Sequence, residues 1–309
     1  MPDSRWTAGD LLAAAGVVVI WGTNFVAMKI GLEVFTPFQM GAARYLFGML
    51  PLVLLVRRPA MPWKWILAFG LAQGVGQFGL LFTSLRIGMT ASLASVLMQT
   101  QVFFTVLLSL VLLSERPGRH LLAGMAIAAA GLGCFAAAYA GTDGSAAAGT
   151  TGLGFVLCLG AASMWASSNL VVRFAQKAAP GFDPFGFIVW CSAVPVLPFV
   201  AMTLAFDAPE TRWRWLEASW PHWAAAAYLG WFASVLAYTL WTRLIKRHGA
   251  NRVAPFSLGV PVVGIACGTL LLGEDVSAWQ WAGIALTVTA LAVVMLGPTV
   301  AARIAGRVR

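Results

Sequence analysis

The chain has 309 residues, of which 60% are hydrophobic and only 10% charged, with a formal net charge of +9. A soluble domain carries roughly 25% charged residues. This much apolar surface cannot be hidden in one soluble core, so the composition points to a polytopic membrane protein. The basic residues lie in short loops between apolar runs, with no aromatic-and-basic stretch of the nucleic-acid type, so the charge reads as membrane topology and no nucleic-acid partner is expected.

A bilayer-spanning helix takes roughly 20 mostly apolar residues. Ten stretches qualify: 9–30, 37–57, 63–85, 90–113, 119–139, 152–175, 184–206, 220–243, 251–272 and 277–298. The expected fold is an all-α membrane protein. The first run is too long for the apolar region of a signal peptide. It also carries Asn24 and Lys29 and has no small-residue cleavage site after it, so it reads as a retained span. Most connections contain Pro, Gly or charge, as at Thr36-Pro37, Arg57-Arg58-Pro59 and Glu115-Arg116-Pro117. The Gly-, Ala-, Ser- and Thr-rich stretch 141–150 reads as a flexible linker between two units, 1–140 and 151–309.

With ten spans, both termini and the even-numbered loops share one side. Fifteen of the twenty Lys and Arg fall there, against four on the other (Lys29, Arg86, Arg212, Arg214), with Arg44 inside a span. That asymmetry places both termini in the cytoplasm and the chain in the cell (inner) membrane. Nine tryptophans, from Trp6 to Trp281, sit near span ends, where amphipathic rings anchor. Trp21, Trp165, Trp190, Trp231 and Trp241 lie within spans and need another explanation. The four cysteines, Cys134, Cys158, Cys191 and Cys267, fall inside apolar runs without metal-ligand spacing and read as small interior residues.

The two units match each other. Trp21-Gly-Thr-Asn-Phe-Val-Ala-Met-Lys29 is echoed by Trp165-Ala-Ser-Ser-Asn-Leu-Val-Val-Arg173. Phe35-Thr-Pro-Phe38 is echoed by Phe182-Asp-Pro-Phe185, Pro51 by Pro198, Ser114-Glu-Arg116 by Gly273-Glu-Asp275, and Ala123-Gly124 by Ala282-Gly283. Each unit holds an odd number of spans, so the copies enter the membrane from opposite sides. Such an inverted repeat is a transporter signature, with substrate near the midplane between the halves.

These features resemble the EamA family of the drug/metabolite transporter superfamily. The residues that carry the likeness are Trp21-Gly-Thr-Asn24, Ala42-Ala-Arg44-Tyr45, Glu115-Arg116 and Gly273-Glu274, together with the ten spans. Within that family, Gln99-Thr-Gln101-Val-Phe-Phe-Thr105, Arg252-Val-Ala-Pro-Phe-Ser-Leu258 and Pro261-Val-Val-Gly264 are similar to the exporters of O-acetylserine and cysteine. The resemblance implies ten helices around a central cavity lined mainly by spans 1, 3, 4, 6, 8 and 9.

Polar and aromatic residues inside those spans are the substrate-binding candidates. Trp21 and Asn24 share one helix face, as do Trp165 and Asn169, and Gln73 and Gln77. Gln101 shares a face with Thr105, while Gln99 points about 160° away at roughly 100° per residue, so on a regular helix only one of the two glutamines faces a cavity. Ser234, Tyr238 and Trp241 share a face of the eighth span. Amide and hydroxyl groups with aromatic walls suit a small zwitterion. The competing reading for each is an interhelical hydrogen bond, worth about 0.6 kcal/mol in a membrane protein. Arg44, Glu115, Pro255, Pro261 and Glu274 are expected to be structural or gating: Arg44 by snorkelling, with pairing to a carboxylate of substrate or protein as the alternative, Lys29 by snorkelling, the glutamates by capping the next helix or holding a gate, the prolines by interrupting the ninth span.

None of the eleven acidic residues lies in the middle of a span, and His120, His222 and His248 lie in loops or at span edges. A buried carboxylate relay is therefore not expected. No nucleophile beside a base, metal cluster or nucleotide motif is visible, so neither enzymatic activity nor a cofactor is expected. The expected function is an alternating-access carrier exporting O-acetylserine and cysteine, with a broader amino-acid, aromatic or drug exporter as the alternative.

Overall fold

The computed structural model describes residues 6–113, 119–140, 151–248 and 253–307, and among them every regular element is helical. Seven helices are long and apolar enough to cross a bilayer: α1 (Ala8–Leu32), α2 (Pro37–Leu55), α3 (Trp63–Arg86), α4 (Ala91–Leu112), α6 (Gly152–Ala178), α7 (Pro184–Phe206) and α8 (Trp220–Leu244). Three further helices, α5 (Arg119–Ala140), α9 (Gly259–Leu272) and α10 (Ala278–Arg307), coincide with the shorter apolar stretches Leu122–Cys134, Phe256–Leu272 and Ala278–Val294, the second of which begins in the turn before α9. The expected linker, 141–150, lies outside the described residues.

Helix starts follow from local chemistry. Thr7, Thr36, Thr90, Thr151 and Asp183 occupy N-cap positions, where each side chain accepts a first-turn amide that would otherwise lack a partner. Pro37 and Pro184 follow their caps at the first helical position, where a missing N–H costs nothing.

Helix interiors are less regular. α2 breaks at Pro51 and α7 at Pro195. Each break falls at a proline. Pro198 is the third residue of the restarted helix Val196–Phe206, where its ring displaces no intrahelical bond. In α3 and α8 the backbone widens into π-helix over Gly70–Phe78 and Tyr228–Leu236, nine residues each. Gly74 in the first π stretch lies against the Pro195 break, and a methyl group there would overlap the proline ring.

Large apolar side chains cover much of the surface, while several polar ones are buried beside the apolar core. Leu54, Leu55, Val111, Leu197, Leu270 and Leu271 are exposed, whereas Asn24, Arg44, Gln73, Gln77 and Gln99 are buried. Exposed leucines satisfy lipid; buried amides must find partners inside. The main apolar core gathers Phe25, Met28, Phe35, Met40, Phe78, Phe82 and Phe199 beside the polar interior.

Helix pairing positions that interior. α1 packs on α8 and α9, α6 on α3 and α4, α4 on α9, α2 on α7, and α5 along α10. The start of α1 is fastened to the end of the α8 rod, which runs on to His248: Asp10 Oδ1 lies 3.1 Å from Arg247 Nη1, and Trp6 stacks on His248 with centroids 4.0 Å apart. At the α2/α7 end, Thr36 Oγ1 donates to Asp207 Oδ2 at 2.6 Å. Burial raises the Asp207 pKa, and the hydrogen bond from Thr36 opposes that rise.

Candidate functional site: a polar cavity between the helices

A cavity of about 810 Å³ opens between the helices. Trp21 and Asn24 of α1, Gln73 and Gln77 of α3, Gln99 and Gln101 of α4, Trp165 and Asn169 of α6, and Tyr238 of α8 all border it. Arg44 of α2, Phe187 and Ile188 of α7, and Val294 of α10 border it as well, so the lining extends beyond the six spans expected.

The polar groups are knitted across helix boundaries. Asn169 Nδ2 donates to Gln101 Oε1 at 2.8 Å and to Thr105 Oγ1 at 3.3 Å, joining α6 to α4. Gln73 Nε2 donates to the Tyr238 hydroxyl at 2.7 Å, joining α3 to α8, and Ser168 Oγ donates to Gln73 Oε1 at 3.3 Å. Trp21 Nε1 donates to the Ala233 carbonyl at 3.0 Å, and its ring lies 5.1 Å from Tyr238 and 5.4 Å from Trp241. The interhelical-bond reading and the cavity-lining reading therefore hold for the same residues. Ser234, by contrast, is absent from this lining: its hydroxyl donates to Leu229 O at 3.0 Å, the carbonyl five residues back in the π turn.

Several expectations need correction. Gln99 and Gln101 both border the cavity because α4 is not regular between them. It tightens to a 3-10 turn over Met98–Thr100, which changes the angle separating the two side chains. Gln99 Nε2 also donates to Ser257 O at 3.0 Å. Lys29 Nζ donates to Leu85 O at 3.0 Å beside the end of α3, and Arg86 Nη1 reaches back to Leu32 O at 2.9 Å at the end of α1. Glu274 does not cap the next helix. Its carboxylate accepts Ala91 N at 2.6 Å and Ser92 N at 2.8 Å, capping α4 from far along the chain. Gly273, with φ of 64°, makes the left-handed turn that sends Glu274 back. The ninth span changes from a 3-10 turn to α-helix at Leu258–Gly259, and Pro261 is the third residue past that junction. Pro255 lies in the 3-10 turn Ala254–Leu258 that precedes α9. Glu115 lies outside the described residues.

Arg44 departs furthest from expectation. It is 2% exposed and does not snorkel. Nη1 donates to Asn24 Oδ1 at 3.2 Å, and the guanidinium carbon sits 3.8 Å over the Phe78 ring.

The cavity runs from Asn24 and Arg44 toward Arg173 and Gln176 near the end of α6 and Thr242 near the end of α8. The cluster of Lys29, Arg86, Glu274 and the α4 start lies beyond its border.

With this geometry in hand, comparison with known proteins is direct. The model of the EamA-like transporter family matches residues 7–136 and 152–296. The chain belongs to the EamA-like transporter family. A Salmonella typhimurium relative described as a probable amino-acid metabolite efflux pump is 36% identical over 289 residues, 93% of this chain and 95% of its own. An Escherichia coli protein of the same description is 33% identical over the same shares. A probable terminal-alkyne amino-acid exporter from Streptantibioticus cattleyicolor is 26% identical, covering 83% of each chain. A crystal structure 18% identical to this chain superposes over 94% of it and 98% of the other with a TM-score of 0.61, a likeness of fold.

As an EamA protein the chain is a multi-pass membrane protein, and its family is one of transporters. Sequence reasoning overlooked Phe69, Phe78, Met98, Gln176 and Thr242 among the residues bordering this EamA cavity. Phe69, Phe78 and Met98, apolar residues in apolar spans, carry no signal of their own, and Phe78 takes its place through the π stretch that ends on it; Gln176 and Thr242 lie near helix ends, where polar residues are ordinary.

Proposed function

We propose that this EamA protein exports small amino-acid-type metabolites, O-acetylserine and cysteine among them, across the inner membrane by alternating access of two inverted five-helix repeats. The observation that carries the reading is the convergence of Trp21/Asn24 and Trp165/Asn169, equivalent pairs from the two units, on one cavity. Helix pairing supports the repeat: exchanging α1 to α5 with α6 to α10 turns the α1–α9 contact into α6–α4, α1–α8 into α6–α3, and α2–α8 into α7–α3, all of which occur. The two π stretches also fall at equivalent places, 158 residues apart.

Orientation follows from charge. The cation-rich loops share a side with the end of α6, toward which the cavity extends, so this conformation is open to the cytoplasm and closed near Glu274 and Lys29. Among the described residues, the wall has no Asp, Glu or His. Export is accordingly driven mainly by the substrate gradient rather than by a carboxylate relay, and an imposed pH gradient leaves the initial rate in liposomes nearly unchanged.

A second reading has its own support. The cavity is at the large end of the roughly 300–1,000 Å³ typical of small-molecule sites, and Trp21, Trp165, Tyr238 and Trp241 give it aromatic walls. An exporter of aromatic amino acids or drugs fits that volume. Competitive uptake of labelled cysteine, O-acetylserine and phenylalanine into inside-out vesicles separates the two. Uptake of the small substrates supports the first; uptake of phenylalanine alone replaces it with the second.

A further inference from the structure

Two side chains bordering the cavity retain hydrogen-bonding capacity that the protein leaves unused. Arg44 Nε and Gln77 Oε1 are buried and have no partner. Both residues border the cavity, at 2% and 3% exposure. The guanidinium makes one hydrogen bond, to the amide oxygen of Asn24, and otherwise stacks on Phe78. Among the described residues no Asp or Glu comes within ion-pair distance of it. A buried cation without a counter-charge is expensive, and in a membrane protein an intramembrane cation facing a cavity marks the path of a ligand.

The chemistry of the two groups is complementary to one kind of ligand. A guanidinium offers a planar fork of donors that matches a carboxylate, and it remains charged at any relevant pH. A single buried positive charge is neutralised by a monoanion, over-neutralised by a phosphate dianion, and repels a cationic drug. The Gln77 carbonyl oxygen is an acceptor, suited to an ammonium group. We infer that Arg44 and Gln77 form the subsite that receives the α-carboxylate and α-ammonium groups of a zwitterionic amino acid, with Asn24 orienting the guanidinium and the substrate side chain lying toward Trp21, Trp165 and Tyr238. This subsite rests on the amino-acid export reading above and narrows it: the constant part of the substrate is read at Arg44, and the variable part meets the aromatic walls. Arg44 is then a binding residue rather than a structural one.

The test uses the full chain in nanodiscs, with L-cysteine and L-phenylalanine as probes and their carboxylate-free analogues, cysteamine and phenethylamine, as competitors. Wild-type protein is expected to bind each amino acid at least tenfold more tightly than its amine. Arg44→Gln reduces amino-acid affinity at least tenfold, to the level of the amine, while amine binding holds or improves because no cation opposes it. Arg44→Lys, which keeps the charge without the fork, falls between. Gln77→Leu weakens amino acid and amine alike, since both carry the ammonium. Wild-type protein that binds amine and amino acid equally overturns the subsite while leaving export intact, as does a folded Arg44→Gln protein that keeps the carboxylate preference. If Arg44→Gln does not fold, the wild-type analogue comparison and Arg44→Lys decide. Wild-type protein that binds no amino acid removes the export reading and the subsite together.

Discussion

Asn24 and Gln101 illustrate how one side chain serves fold and cavity together. Each is hydrogen-bonded across a helix boundary and each borders the cavity. Removing either costs an interhelical bond and, on the proposed export reading, a substrate contact as well. A net hydrogen bond is worth about 1 kcal/mol, or roughly fivefold in an equilibrium. Asn24→Ala and Gln101→Ala are each expected to lower the initial transport rate in liposomes about fivefold or more, with normal yields of folded protein. Wild-type rates in both would put the substrate elsewhere. Glu274 answers to a different measurement. Its carboxylate holds two α4 amides, and hydrogen bonds to charged groups are worth about 1.5–3 kcal/mol. Glu274→Ala should lower the thermal unfolding midpoint of the protein clearly more than Glu274→Gln, which keeps an acceptor.

Among elements, the paired π stretches and proline breaks matter most. Widening α3 and α8 lets backbones approach where side chains would hold them apart. Gly230, inside the second π stretch, would place a methyl group 2.6 Å from both Arg44 O and Phe47 Cβ and 2.7 Å from Gly48 N. Two of those neighbours are backbone and cannot rotate away. Gly230→Ala should therefore displace α2 together with Arg44 and destabilise the protein by about 1–3 kcal/mol, the usual penalty of overpacking. Its signature is a lowered melting temperature together with weakened amino-acid binding; unchanged values for both would mean that α8 and α2 pack less closely than described.

On the scale of the whole molecule, helices from both units surround a cavity that reaches toward the ends of α6 and α8. If that side is cytoplasmic, a cysteine placed at Gln176, which is exposed at the border, reacts with a membrane-impermeant thiol reagent in inside-out vesicles and is protected in right-side-out ones. A cysteine at the buried Ser92, held beneath Glu274, reacts in neither until the carrier turns outward. The opposite pattern at Gln176 would invert the topology.

What was legible from sequence, and what was not, divides along a physical line. Composition and run length establish a helical membrane protein, because the bilayer forces every backbone group to be satisfied within its own segment, and that requirement is local. Helix starts at Thr7, Thr36 and Asp183 depend on neighbours within a few residues and could be read for the same reason. The lining residues Trp21, Asn24, Gln73 and Asn169 stood out because a polar group in an apolar run needs an interior reason. Tertiary structure alone decided that Gln99 and Gln101 share a wall, since a 3-10 turn breaks the regular phase. It alone decided that Glu274 serves α4 and that Arg44 remains inside, bonded to Asn24. The last two outcomes depend on partners 20 and 183 residues away, and spacing along a chain carries no record of which distant group folding will bring within hydrogen-bond reach.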